Sequence, residues 1–294
     1  MRNPLRLFCG AIALVAMLTA VACGGGGEEM SGSRPADPAD SEMLVTNPSE
    51  ALGASAERFE EEVESVQADF TFEFGVEGIT VGANGHFVFQ APDSVHMTME
   101  MSGGDGTFDA GEFGPIEMLL LGDQIYMKTG FTGWMTMSLD DLGEDAQSFR
   151  DMMDFHSPLD YQALVDSLGA EVENLGPVDV GGNTYTRLRI TTDLASVLNA
   201  MADSAGEDTL AAALFGVSGP MTMDILMNPE TMLPYTFEAD GSFGIGAESM
   251  DFKMAFKFYD YNKWVHIPAP PEDAVPFDEG FGSLDFGEEL SSSE

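Results

Sequence analysis

The chain has 294 residues, with 51 acidic residues against 11 basic ones, and its formal net charge is −40 at pH 7. Nucleic-acid binding requires a basic surface, so this charge balance excludes it. It also excludes electrostatic attachment to anionic lipid, because like charges repel. Any attachment to a membrane must therefore come from a hydrophobic or covalent anchor.

The first 22 residues predict an export signal that ends at a cysteine. Arg2 and Arg6 form a short basic region, and the apolar stretch 7–18 that follows is too short to span a bilayer. Small residues at 19–22 precede Cys23, and this run resembles the bacterial lipobox. The resemblance implies a signal peptide at 1–22, a diacylglyceryl thioether on Cys23 and a membrane-anchored mature chain. An ordinary secretory signal and an uncleaved anchor remain alternatives.

The mature chain would keep a single, acylated cysteine, because Cys9 lies within the signal. It therefore cannot form an internal disulfide, or a zinc or redox site built from thiols. Removal of Arg2 and Arg6 would leave nine basic residues against 51 acidic ones, a net charge of −42. Stability must then come from the burial of apolar surface, for which the chain is long enough.

Composition divides the mature chain into three segments. Residues 23–46 are rich in Gly, Ser, Pro and acids with little periodic hydrophobicity, and they predict a lipidated flexible tether. Residues 47–271 predict one folded domain. Residues 272–294 predict an acidic disordered tail, although the Phe residues within it leave open a fold-back onto the domain.

The domain opens with a predicted helix. Asn47 can cap it, with Pro48 at the first helical position and Glu50 at the third. Apolar residues then recur at spacings of four and three, as on one face of an amphipathic helix. They are Leu52, Ala56, Phe59, Val63 and Val66.

Alternating apolar and polar residues then predict strands, with further helices between them. Two hairpins are predicted, one over 79–90 with its turn at Asn84-Gly85 and one that joins 115–121 to 124–128 through a turn at Gly122-Asp123. A strand at 183–192 follows a turn at Gly181-Gly182. The other predicted strands are 70–74, 95–101, 134–137, 221–227, 234–240 and 250–258. The further helices are 157–168, a segment capped by Asp193 that reaches 201, and 210–215. This order indicates an α+β fold with an antiparallel sheet.

The inward positions of these strands are largely Met and Phe. Met is unbranched and polarizable, so a sheet lined with it adapts to ligands of varying shape. Covered by amphipathic helices, such a sheet could leave an apolar cavity for an acyl chain. The candidate ligand-binding residues are Phe72, Phe74, Met97, Met99, Met223, Ile225, Phe252, Met254 and Phe256. The alternative is that these side chains only pack the sheet against the helices.

Three runs resemble LppX/LprG-type bacterial lipoproteins, which have a LolA/LolB-like fold. They are 122–128 followed by Gly133-Trp134, then 180–185, then 258–270. With the first helix and the element order, the likeness covers about residues 47–271. It implies a curved antiparallel sheet, a half-open barrel, with helices over its concave face and a hydrophobic cavity between. It also implies binding and movement of lipids or lipidated molecules in the cell envelope.

Nothing in the sequence favours catalysis. The Gly-x-Ser-x-Gly and His-Glu-x-x-His motifs are absent, and His86, His96, His156 and His266 show no metal-ligand spacing. We therefore expect no enzyme activity, no cofactor and no metal site. The preferred hypothesis is an extracytoplasmic, lipid-anchored carrier or chaperone for a lipid or acylated ligand. The alternative is a structural or regulatory envelope lipoprotein that binds another protein and has no lipid cavity.

Overall fold

The computed structural model describes residues 37–76, 79–104, 114–142, 170–193, 219–245 and 248–277. Two helices come first, α1 (Pro38–Thr46) and α2 (Pro48–Glu62). The strands are β1 (Ser65–Val76), β2 (Ile79–Gln90), β3 (Ser94–Gly104), β4 (Pro115–Leu121), β5 (Gln124–Lys128), β6 (Met135–Ser138), β7 (Glu171–Val180), β8 (Asn183–Asp193), β9 (Pro220–Met227), β10 (Pro234–Ile245), β11 (Glu248–Tyr259) and β12 (Val275–Pro276). A short 3₁₀ helix, Leu139–Leu142, follows β6. The signal, Cys23 and the three helices predicted after residue 150 lie outside the described residues.

The described strands form one 12-stranded sheet in the order β12-β6-β5-β4-β3-β2-β1-β11-β10-β9-β8-β7. Neighbours pair antiparallel except for β12 and β6, which pair parallel. The sheet is curved and does not close, because β12 and β7 stand at its opposite edges. The predicted fold class is thereby confirmed.

Side-chain alternation gives the sheet two different faces. On one face, here called the inner face, apolar side chains stand in register across many strands. One such row is Leu188, Ile225, Phe237, Phe256, Phe70, Gly85, Met99 and Ile116. Phe59 of α2 and Val63, which directly follows the helix, pack into the main cluster on this face. Helix α1 and the start of α2 join a second cluster that contains Leu188 and Ile225. The opposite, outer face carries most of the charged residues of the strands.

The predicted first helix is confirmed, with a different arrangement at its start. Pro48 begins α2 and Asn47 precedes it, but the Asn47 side chain makes no capping bond to the backbone. Its Nδ2 donates instead to Glu50 Oε2 at 2.6 Å. The helix ends at Glu62, so Val66 lies in β1 and not on the helical face where the spacing placed it.

The predicted hairpin at Asn84-Gly85 is wrong. β2 runs through this point as one strand, and Asn84 pairs with Thr71 on one side and Glu100 on the other. A glycine stands at position 85 because the Phe70 ring lies against it: an added Cβ would be 2.5 Å from Phe70 Cζ. The turns predicted at Gly122 and at Gly181-Gly182 are confirmed, with positive φ at all three glycines.

The folded part extends beyond residues 47–271 at both ends. Helix α1 lies within the predicted tether, because Leu44 is fully buried and its carbonyl accepts a 2.6 Å hydrogen bond from Asn174 Nδ2. Residues 272–277 belong to the folded part, since the Val275 N–H donates to the Trp134 carbonyl at 3.0 Å. The remaining tether residues, 23–36, and the remaining tail residues, 278–294, lie outside the described residues.

The sheet has two ends, set by where its strands turn. The turns after β2, β4, β7, β9 and β11 all lie at one end, here called the α1 end because α1 begins there. The last residues of β1, β5 and β10 lie at the opposite, far end. Both edge strands resist further pairing. β7 carries a bulge between Asn174 and Gly176 followed by Pro177, and Pro276 of β12 has no N–H.

Candidate ligand-binding face

The strand register places all nine candidate ligand-binding residues on the inner face. They differ in burial. Six are only 3–6% exposed: Phe72, Met99, Ile225, Phe252, Met254 and Phe256. Phe74, Met97 and Met223 are partly buried and pack against the edge of the main cluster. Six candidates are therefore buried as core residues, whereas three retain surface that a ligand can contact.

Aromatic rings form the centre of the inner face, on β1 and β11. The Phe70 and Phe256 ring centroids are 5.8 Å apart, and the Phe256 and Phe258 rings stack at 6.0 Å. Glycines lie beneath two rings of this group. A Cβ at Gly241 would be 2.6 Å from Phe252 Cε1, as one at Gly85 would meet Phe70. The rings therefore lie across the neighbouring strand, and the centre of the face is a closely packed aromatic floor.

Methionines form the flank of the inner face, on β3 to β6. Met97, Met118, Met127 and Met135 stand in register on four successive strands. Met135 is fully buried, but the other three are partly buried. Thioether side chains rearrange at low cost, because they are unbranched and have several rotatable bonds. This methionine row is the part of the inner face best able to adapt to a bound apolar molecule.

The inner-face positions of β1 to β6 carry no charged side chain. Burial of an acyl chain against such a surface leaves no ionised group unsolvated, so its cost is small. This part of the inner face is therefore suited to apolar binding.

An ion-pair cluster lies on the outer face of β8 and β9. Arg189 Nε donates to Asp224 Oδ1 at 2.8 Å, and Arg189 Nη2 donates to Oδ2 at 2.7 Å. Arg187 Nη2 also donates to Oδ2. The hydrogen bonds from Arg189 hold the pKa of Asp224 below its usual value, and Asp224 in turn raises the pKa of Arg189. Both arginines lie on the face opposite Leu188, and the sequence analysis did not identify Asp224 as their partner.

A second polar cluster joins β2, β1 and β11 on the outer face. The Tyr259 hydroxyl donates to Asp69 Oδ1 at 2.9 Å, and His86 Nδ1 lies 3.1 Å from the same oxygen. Burial and the bond to Asp69 raise the pKa of Tyr259 to about 12. Of the other histidines, His96 bonds Glu117 at 3.0 Å and His266 is exposed. In the described part of the chain, no three His, Cys, Asp or Glu side chains are arranged to hold a metal ion.

A groove of about 420 Å³ opens at the far end of the sheet. Its lining includes Glu73, Asp240 and Asp251, with Lys253 between them, and it is mainly polar. Only Phe252 of the nine candidate residues borders it. The groove is thus separate from the methionine row and does not bring the predicted ligand-binding residues together.

The chain belongs by fold to the proteins built on a curved, unclosed antiparallel sheet. Among solved structures it is similar to lipoprotein LppX of Mycobacterium tuberculosis, with 15% identity over 79% of this chain and 100% of that one and a TM-score of 0.40. It is also similar to LprF of Mycobacterium bovis, with 17% identity over 81% and 99% of the two chains and a TM-score of 0.39. The predicted resemblance to this group is confirmed by these two matches.

The likeness extends more weakly to MucB of Pseudomonas aeruginosa in its complex with MucA. The identity is 12% over 80% of this chain and 59% of that one, with a TM-score of 0.31. No protein-family model and no curated protein matches the chain. At such identities and TM-scores the comparisons concern the fold alone and do not identify a ligand.

Proposed function

We propose that this chain is a lipid-anchored, extracytoplasmic protein that binds and carries a hydrophobic or acylated ligand, without catalytic activity. The apolar inner face is the observation that supports this function. Each buried methylene contributes about 0.8 kcal/mol, so ten methylenes of an acyl chain would contribute about 8 kcal/mol before the costs of association. A face of this size and composition needs no polar contact to bind such a ligand.

The proposed ligand seat is the methionine row at Met97, Met118 and Met127, whereas Met223 on β9 lies across the aromatic floor from it. Side chains that retain exposed surface gain contacts when an apolar ligand arrives. Side chains that are already buried, such as those of the aromatic floor, gain few. The ligand would therefore lie along the flank on β3 to β5 and against the edge of the floor.

Two methionines on one strand provide a test of this seat. Met97 and Met99 lie on the same face of β3, but Met99 is 4% exposed whereas Met97 is partly buried. Truncation of a buried Met to Ala costs about 2–5 kcal/mol, so Met99→Ala should strongly destabilise the protein. Met97→Ala should cost about 1 kcal/mol or less and should weaken binding of a fluorescent fatty-acyl probe. Thr98→Ala, on the outer face between them, is the matched control.

Three measurements decide the outcome: urea unfolding, acyl-probe titration and mass spectrometry of lipids extracted from the purified protein. Copurified acyl species and weaker probe binding by Met97→Ala would support the carrier. An absence of bound lipid, with unchanged probe binding in Met97→Ala, would refute it. That result would favour the alternative, a structural or regulatory lipoprotein whose inner face is only a packed core.

The proposed anchor is the acylated Cys23. Among the described residues, neither helix has the length and apolarity required to cross a bilayer. A net charge near −42 after cleavage disfavours adsorption to anionic lipid, so attachment would depend on the thioether. The predicted signal supports export from the cytoplasm, and the proposed further partner is an envelope protein that loads or unloads the ligand.

A further inference from the structure

Trp264 is 86% exposed, the highest value among the large apolar side chains in the described part of the chain. Its backbone is nevertheless fixed on both sides. Ser65 Oγ donates to the Lys263 carbonyl at 2.6 Å, and Val265 is only 9% exposed. Asn262 tightens the same turn, because its N–H donates to the Ser65 carbonyl at 2.8 Å. The fold therefore holds an indole in the solvent on a rigid segment.

Trp264 lies at the α1 end of the sheet, where the predicted tether also joins the domain. The Tyr261 hydroxyl, close before Trp264, donates to the Pro234 carbonyl at 2.6 Å and so links this turn to the start of β10. Ser41 of α1 donates to the Pro229 carbonyl in the adjoining turn between β9 and β10 at 2.5 Å. The first described residue, Asp37, is only four residues before Ser41. The exposed indole and the root of the tether are thus at the same end of the molecule.

The length of the tether limits how far this end can move from a membrane. Fourteen residues, 23–36, separate the start of the mature chain from Asp37, and a flexible Gly-rich tether of that length has an average end-to-end distance of only about 20 Å. β1 alone, with 12 residues, is about 40 Å long. An acyl anchor at Cys23 therefore keeps the α1 end close to the bilayer and leaves the far end as the more distant one.

We propose that Trp264 contacts the interfacial layer of the membrane that holds the chain, so that the α1 end faces the bilayer. This inference depends on the proposed anchor at Cys23. Tryptophan is suited to that layer because its ring is apolar and its N–H can hydrogen-bond to headgroups or water. One indole binds a membrane weakly, but the anchor makes the contact intramolecular, and a weak interaction then suffices.

The negative charge of the α1 end determines which bilayers Trp264 can contact. The turns at the α1 end carry exposed carboxylates at Asp93, Asp123, Glu230 and Asp260, whereas Lys263 supplies an exposed cation beside Trp264. Anionic headgroups would be repelled at low salt. The expected partner is therefore a zwitterionic or neutral bilayer, and contact with anionic bilayers should increase as salt screens the carboxylates.

The chain contains two tryptophans, which makes the test direct. Trp134 lies at the far end, where Lys128 Nζ is 5.9 Å from its ring centroid. Trp134→Phe leaves Trp264 as the only tryptophan, and Trp264→Phe leaves Trp134. Each mature protein, acylated in cells or coupled through its single thiol to a maleimide lipid, is placed on phosphatidylcholine vesicles that contain a nitroxide-labelled lipid.

Trp264 emission should shift to shorter wavelength and be quenched about twofold or more by a nitroxide near the headgroup, while Trp134 emission stays unchanged. Unquenched Trp264 emission on the vesicles, or equal quenching of both tryptophans, would overturn the proposed orientation. Cys23→Ser without coupling should lose both attachment and quenching, and its retention on membranes would overturn the anchor. Trp264→Phe should bind the acyl probe as the wild type does. Probe binding therefore tests the proposed carrier function independently of the quenching that tests the orientation.

Discussion

Replacement of Gly85 by alanine tests the aromatic floor of the inner face. An alanine Cβ at this position would lie 2.2 Å from the Thr98 carbonyl oxygen and 2.5 Å from Phe70 Cζ. Both distances are far below the separations that carbon atoms adopt in proteins, so both neighbours would have to move. Thr98 is held in the ladder between β2 and β3, and Phe70 is 2% exposed.

The expected cost follows from these two contacts. Overpacking of a core costs about 1–3 kcal/mol, and a clash with a ladder carbonyl places Gly85→Ala at the upper end. Alanine restricts the unfolded chain more than glycine does, which offsets about 0.5–1 kcal/mol. The net loss should be about 2–3 kcal/mol, or roughly 5–10 °C in the unfolding midpoint of a domain of this size.

Urea unfolding followed by circular dichroism measures this loss, with Gly82→Ala as the matched control on the same strand. Its Cβ would lie 3.2 Å from Ser102 Oγ, a side-chain atom that can move aside. The control should therefore change the free energy of unfolding by about 0.5 kcal/mol or less. Equal free energies of unfolding for the two variants would refute the close packing of Phe70 against Gly85 in the aromatic floor. With Phe70→Leu, the loss from Gly85→Ala should be less than additive, because the two residues are in contact.

Two further predictions concern the outer face. Asp224→Asn should lower the free energy of unfolding by about 1–2 kcal/mol at pH 7, because it removes charge-assisted bonds from two arginines that are each 38% exposed. Since the pKa of Asp224 is lowered in the folded state, its contribution is present above the unfolded pKa of about 4 and is lost on acidification. The difference between the wild type and Asp224→Asn in urea unfolding should thus shrink below about pH 4, and a pH-independent difference would contradict this cause. Tyr259, whose folded pKa is about 12, stabilises fully below pH 10 and loses that contribution as pH rises to 12. Tyr259→Phe should accordingly remove one phenol that titrates near 12 in ultraviolet difference spectra, and loss of a phenol that titrates near 10 would refute it.

Alternation in the sequence predicts the sheet well, because a residue on a strand shares its face with the residues two positions away. It assigns Met97 and Met99 to one face, which is correct, but treats them as equivalent. Their different burial depends on what packs at each point along the face. The sequence carries no local signal for this, so the division into an aromatic floor and a methionine row becomes visible only in the structure.

The wrong predictions have a common cause in long-range contacts. Asn84-Gly85 has the local form of a turn, yet Gly85 is required by a ring from the neighbouring strand. Helix α1 is weakly apolar, and it is held by the burial of Leu44 and by a bond from Asn174, 130 residues away. Asp224 lies 35 residues from Arg189. In each case the decisive partner is distant in the sequence, and residue periodicity contains no information about it.

The protected edges of the sheet have a consequence if the proposed anchor at Cys23 confines the protein to a membrane surface. Molecules anchored in one membrane share two dimensions, and their local concentration far exceeds that of the same number in solution. Open strand edges at such concentrations pair with one another and polymerise. Here the bulge and Pro177 distort one edge, and β12, which ends in Pro276, occupies the other. With the proposed anchor, dense populations of this chain would diffuse and collide on a membrane without joining their sheets.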